Sequence, residues 1–205
     1  MRVNDCVVCR DFPCTDVLHQ NYSVPGVEIH PEAVSIILIS EAAPPDLKDD
    51  YYAPGDPLFV RTTLQAFKDA GAQVSSMQDI LNLGVYLTTA VKCAKTAYAI
   101  QTDTVKQCAQ LLEQELALFP NVKAYLLMGD VAIRAMNTVA QRAGEKRVIP
   151  AGSTYKIRGQ PYFFRGRRAF PSYLQAGPSF FIEKSKRKMI AEDIAAALRE
   201  VSAAA

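Results

Sequence analysis

Two pairs of cysteines far apart in the chain, Cys6-x2-Cys9 and Cys93-x14-Cys108, constrain this sequence more than any other feature. If their thiolates close one metal site, the amino terminus must fold back across the intervening 83 residues onto the middle of the chain. A 4Fe-4S cluster takes four cysteine ligands, and the spacing points to one here, held by Cys6, Cys9, Cys93 and Cys108. Zinc is the rival, because four-cysteine zinc sites commonly use a Cys-x2-Cys pair. Such sites usually show two short pairs, whereas Cys93 and Cys108 stand too far apart for one knuckle. Cysteines are also packed as small apolar side chains, and Cys108 falls on the apolar face of a predicted helix. Cys14 is left over, five residues after Cys9, as a bystander or a replacement for one ligand. Met1 to Cys9 holds no apolar run of signal-peptide length, so structural disulfides are not expected and a cytoplasmic location is.

The length of 205 residues suits a single domain with a full hydrophobic core. Within it, residues 1–30 form the cysteine-bearing segment and residues 195–205 a fraying helix and tail. Although 49% of residues are hydrophobic, no apolar run approaches the ~18 residues of a membrane span. A soluble monomer is expected. The net charge of +2 hides an uneven distribution. Between Lys156 and Lys188 there are nine Lys or Arg residues against one acid, Glu183. The carboxyl-terminal third is therefore read as a basic surface.

Hydrophobic periodicity maps the elements. Val34 to Ile39 is an apolar, β-branched run suited to a strand covered on both faces. It is expected to end in a loop from Ser40, with Pro44 and Pro45 barring its continuation. Thr62 to Ala70 reads as a short helix capped by Thr62 or Thr63 and stopped at Gly71. Val85 to Val91 is a second strand, ending at Lys92-Cys93. From Thr104, the residues Val105, Cys108, Leu112, Leu116 and Phe119 recur at helical spacing. Ala124 to Met128 is a third strand, and Asp130 is the expected cap of the next helix. Ile182 to Val201 makes a closing helix. Strands alternating with helices predict a three-layer α/β/α sandwich around a mainly parallel sheet.

Ligands of such sheets sit outside the carboxyl ends of the strands. That rule selects the loops after the three strands. The first holds Glu41, and then Tyr51, Tyr52 and Phe59, aromatics that either line a pocket or cover the sheet end.

In the order of its motifs the chain resembles the uracil-DNA glycosylase superfamily, and in particular the iron–sulfur branch that includes the family 4 enzymes. Ser40-Glu41-Ala42-Ala43-Pro44 is similar to the family's Gly-Glu-Ala-Pro-Gly motif. Gly55-Asp56-Pro57-Leu58-Phe59-Val60 loosely matches Gly-x-Pro-Phe-Val, and Thr88-Thr89-Ala90-Val91-Lys92-Cys93 matches Thr-Asn-x-x-Lys-Cys. The helix cysteine at Cys108 and the strand ending at Gly129 follow in the same order. Two departures stand out. The base-reading Asn falls on Thr89, which lacks an amide able both to donate and to accept. The final His-Pro-Ser motif falls near Phe170-Pro171-Ser172, where no histidine occurs. A neutral donor such as Gln175, Ser172 or a backbone amide would then serve the leaving base.

The resemblance implies hydrolysis of the bond joining a damaged base to its sugar in DNA. Glu41 would position or activate the attacking water. Ala42, Tyr52, Phe59, Thr89 and Gln175 would form the pocket for a base flipped from the duplex. Phosphate contacts would come from Arg165, Arg167, Arg168, Lys184 and Lys186, the hairpin tip at Gly166-Arg167-Arg168 probing the duplex. Aromatic residues interleave with those arginines, a mix suited to nucleic acid. The same lysines and arginines also suit a plain solvated face, and Glu41 a solvated loop carboxylate. The alternative function is a non-catalytic nucleic-acid-binding or sensing protein that kept the fold and lost its uracil-reading residues. A zinc-stapled domain acting on small nucleotides is a third reading.

Overall fold

Fully apolar runs become the central strands. The computed structural model describes residues 1–203, and its elements are β1 (Val17–Leu18), β2 (Ile36–Ala43), α1 (Leu58–Asp69), α2 (Met77–Asn82), β3 (Val85–Lys95), α3 (Thr102–Ala117), β4 (Ala124–Met128), α4 (Asp130–Arg142), α5 (Thr154–Ile157), β5 (Tyr162–Phe164), β6 (Arg167–Ser172), α6 (Ser179–Ile182) and α7 (Lys184–Ala203). The six strands form one sheet in the order β1-β3-β2-β4-β6-β5. The inner four are parallel, and β1 and β5 run antiparallel along the two edges. Side chains of a strand alternate between faces, so Ile37, Ile39, Tyr125 and Leu127 join the core under α3 and α4. Ile36, Leu38, Leu126 and Met128 join the other core, with Phe67 of α1 and Ile190 and Ile194 of α7. The result is the expected α/β/α sandwich. No helix among the described residues is long and apolar enough to cross a membrane.

Several boundaries differ from the sequence reading, each for a local reason. The segment from Ser40 to Ala43 is strand rather than loop, because β3 pairs with it backbone to backbone: Ser40 stands opposite Thr89 and Ala42 opposite Val91. Strand β3 itself runs on to Lys95, because Val17 and Leu18 of β1 pair with Lys95 and Ala94. Helix α1 starts four residues earlier than expected, after Pro57. Thr62, expected as a cap, lies buried inside it and bonds back to the Leu58 carbonyl at 3.0 Å. The cap of α4 is Gly129, at φ 95°, and Asp130 is the first helical residue. The closing helix is split at Glu183, leaving α6 and α7 as separate elements. Ala204 and Ala205 of the expected tail lie outside the described residues.

Candidate functional site

Parallel strands bring their carboxyl ends to one edge of the sheet, which gathers Glu41, the end of β3, Gly129 and the chain after Ser172. The Glu41 side chain is 17% exposed there, and its Oε2 lies 3.6 Å from the Lys95 Nζ. Its seat exists because position 129 has no side chain. A Cβ on Gly129 would stand 2.6 Å from Glu41 Oε1, and the positive φ there already favours glycine. The carboxylate thus rests at the amino terminus of α4, where the helix dipole favours negative charge. Lys95 also donates to the Tyr98 carbonyl at 3.2 Å and stands 5.5 Å from the centre of the Tyr98 ring. That ring is 96% exposed.

At the same edge, the residues expected to read a base are buried or half-buried. Gln175 is fully buried, and its amide donates to the Tyr51 hydroxyl at 2.9 Å and to Thr63 at 3.4 Å. Its carbonyl oxygen has no partner among the described residues. Burial holds the Tyr51 phenol well above the ordinary tyrosine range, so it remains a protonated donor. Phe59 packs against Tyr51 with ring centres 5.2 Å apart. The Tyr52 hydroxyl accepts from Leu87 N at 3.0 Å and is 3.2 Å from the Leu87 carbonyl, which ties Tyr52 to the sheet. Ala42 and Thr89 are buried within their strands. Phe170, near the histidine position of the resembled motif, is buried in β6 opposite Leu126. Ser172 donates to Asp193 at 2.5 Å and so is engaged.

The basic residues divide between two edges. Arg168 stands level with Ala124, at the start of β4, and Ser172 with Met128, at its end. At about 3.3 Å per residue, the β5–β6 hairpin therefore turns roughly 13 Å or more from the edge that holds Glu41. Arg165 pairs there with Glu145 at 2.7 Å and Glu113 at 3.6 Å. Arg167 donates to the Tyr125 hydroxyl at 3.1 Å. Arg168 lies over the Phe170 ring at 4.5 Å and is 3.8 Å from Glu200. The hairpin tip and Glu41 are thus not brought together. Lys184 and Lys186 open α7 beyond the end of β6, with Lys186 5.5 Å over the Tyr173 ring and paired with Glu183 at 2.8 Å. Just before them, Phe181 and Ile182 are 44% and 79% exposed. Sequence reasoning missed these two and Lys95. An apolar pair one residue before the lysine run is a signal that could have found the former.

The cysteines come together in part. Cys9, Cys14, Cys93 and Cys108 line one small cavity with Phe12, His19, Tyr22, Lys92 and Leu111. Cys6 is exposed, its sulfur 3.8 Å from the Arg2 carbonyl, and it lines an outer cleft shared with Cys9, Cys14 and Cys108. All five are free thiols. Burial pushes the Cys93 thiol up to about 12, with Cys108 and Cys9 adding to the shift. Burial likewise raises Cys108 to about 11, opposed by the Lys92 backbone amide. The thiols ring a cavity rather than meet at a point: among the described residues no three His, Cys, Asp or Glu side chains are placed to grip one metal ion. In kind and number, four thiols around one space match the donor set of an iron–sulfur cluster.

The model of the uracil DNA glycosylase superfamily matches residues 29–195. A type-5 uracil-DNA glycosylase of Thermus thermophilus is 38% identical over 58 residues, 28% of this chain. That match spans 26% of the relative's length. With the family match running from before β2 into α7, this chain belongs to the uracil-DNA glycosylase superfamily.

Proposed function

We propose that this protein is a DNA glycosylase, hydrolysing the bond between a damaged base and its deoxyribose. The observation that carries this reading is the Glu41 carboxylate, held between Gly129 and Lys95 at the ligand edge of a sheet of this superfamily. Breaking a base–sugar bond leaves positive charge on the sugar ring and negative charge on the departing base. A fixed carboxylate stabilises the first and orients the water that attacks the sugar carbon. The base must leave the duplex stack to reach such a site. Phe181 and Ile182, exposed beside Lys184 and Lys186, suit that task as apolar side chains that enter the stack next to cations that meet phosphate. Thr89 offers one hydroxyl toward a base edge where an amide would offer two-way bonding.

Cys9, Cys93 and Cys108, with a fourth thiol, would hold a 4Fe-4S cluster, as expected of the iron–sulfur branch; zinc is the other occupant. The group supplies a structural tie between the amino-terminal segment, β3 and α3, and it takes no part in the hydrolysis.

One observation favours a second reading. Thr89 and Gln175 are both buried, and the Gln175 amide is bound to Tyr51 and Thr63. A protein that binds DNA without cutting it would tolerate such a closed pocket. Duplexes carrying a single uracil, hypoxanthine, xanthine or alkylated base separate the two. Abasic sites that form with wild type and not with Glu41→Gln support the glycosylase. Binding without turnover on every lesion supports the second reading.

A further inference from the structure

The loop between β3 and α3 is tied down at three points and turns one aromatic ring outward at the Glu41 edge. Asp16 closes it at both ends. The Asp16 carbonyl accepts from Thr96 N at 3.2 Å and from the Thr96 hydroxyl at 2.9 Å, and its carboxylate accepts from Gln101 N at 2.7 Å. Between these anchors Ile100 is buried in the core, and its carbonyl accepts from the Arg134 guanidinium at 3.2 Å. Ala97 and Ala99, on either side of Tyr98, are exposed and small. The Tyr98 ring, 96% exposed, is therefore displayed by fixed backbone rather than by a loose loop. A ring held in water forgoes the burial that aromatic side chains normally contribute, and a flat apolar partner laid over it restores that term.

The neighbours of the ring indicate the chemistry of that partner. The Lys95 ammonium stands 5.5 Å from the ring centre and 3.6 Å from Glu41 Oε2, so one cation borders both the ring and the candidate catalyst. At the start of α7, Lys186 lies 5.5 Å over the Tyr173 ring. Its ammonium is held above the ordinary lysine range chiefly by Glu183, with smaller contributions from Tyr173 and Tyr98, which puts Tyr98 within electrostatic reach of α7. Two lysine–tyrosine pairs thus share the surface beside Glu41. Rings that stack on bases, set among cations that meet phosphate, are what an unpaired nucleic-acid strand requires.

We propose that Tyr98 is a stacking platform for an unpaired base of the strand presented to Glu41, and that the protein takes single-stranded DNA in preference to duplex. The inference rests on the glycosylase reading for the identity of that strand. In a duplex the neighbouring base must first be unstacked, the opening assigned above to Phe181 and Ile182. In a single strand it is already free.

The chain contains no tryptophan, so Tyr98→Trp installs one indole whose fluorescence reports on stacking. Titration with a lesion-free oligothymidylate should quench it to saturation, and a duplex should do so only at higher concentration. Phe163→Trp, at an exposed position on the β5–β6 hairpin, should not respond. Loss of one stacked base typically lowers affinity about 5- to 150-fold. Tyr98→Ala should show a fall of that size for the single strand and a smaller one for the duplex, while Tyr98→Phe should bind like wild type. Because the ring is exposed, none of these changes disturbs the core. An unquenched indole at position 98, a Tyr98→Ala protein that binds the single strand normally, or tighter binding of an RNA strand of matching sequence would each overturn the proposal. Quenching without abasic-site formation on any lesion would support the platform and sink the glycosylase reading alone. Lesion excision by a protein whose Tyr98→Ala variant binds single strands unchanged would do the reverse.

Discussion

The ammonium of Lys92 and the carboxylate of Glu115 form an ion pair with both side chains wholly removed from solvent. Lys92 Nζ also donates to the Thr88 hydroxyl at 2.8 Å and the Thr89 carbonyl at 2.7 Å. Glu115 in turn accepts from the Tyr86 hydroxyl at 2.5 Å and from Thr88 at 2.8 Å. Such a network is strong only while complete, because a lone charge left in the core has no compensation. Glu115→Gln or Lys92→Met should therefore cost about 3 to 5 kcal/mol of folding stability. The double variant should lose clearly less than the sum of the two. Urea unfolding checks both statements, and additive losses would show that the pair is not coupled.

Excision should depend on the seat of Glu41. Glu41→Gln should lower it about 10²- to 10⁴-fold, the usual loss for a positioned acid–base group, with DNA affinity unchanged. Gly129→Ala should have a similar effect, because its Cβ would enter the space of the carboxylate. Thr89→Asn should raise activity on uracil in particular, since polar readout discriminates better than fit. Brisk excision by Glu41→Gln would show that the carboxylate is misassigned.

Salt dependence distinguishes the two basic clusters. Each phosphate contact contributes to the fall of affinity with salt. Lys184→Ala with Lys186→Ala should weaken binding to many sequences alike and flatten that slope. Removing Arg165, Arg167 and Arg168 should leave the slope in place, since these side chains face Glu145, Tyr125 and Phe170 at the far edge. A flattened slope in the arginine variant alone would assign the DNA surface to the hairpin.

Asp79 caps α2, accepting from the Ser75 and Ser76 backbone N–H groups at 2.7 and 2.9 Å. Those bonds, with the Ser75 hydroxyl, hold its pKa down at about 2, below the ordinary carboxylate range. A carboxyl group with a lowered folded value contributes stability above the unfolded value and loses it as the pH falls through the folded one. Asp79→Ala should thus be less stable than wild type at pH 6. The difference should shrink between about pH 4 and pH 2, as measured by denaturant midpoints; a difference independent of pH would discount the charge of Asp79.

Central strands were plain in the sequence, and β4 runs over the same residues, 124–128, because every one of them is buried. The ends of β2 and β3 were not, because Ser40, Glu41 and Lys92 break the apolar run while pairing with a neighbouring strand keeps the backbone extended. The candidate carboxylate and three of the cavity cysteines could be named from motif and spacing. Lys95, His19 and Cys14 owe their places to tertiary contacts that no local pattern records. Arginines 165, 167 and 168 were correctly seen as clustered, but composition does not reveal at which edge of a sheet a hairpin will turn.

Strand β3 ends in a short stretch with several attachments. Cys93 faces the thiol cavity, Ala94 and Lys95 hold β1, and Lys95 reaches Glu41. Within three consecutive residues, the anchorage of the amino-terminal arm and the charge environment of the candidate catalyst share one rigid piece of backbone. A disturbance at the thiols would therefore reach Lys95, and with it the charge beside Glu41, through that one piece of backbone.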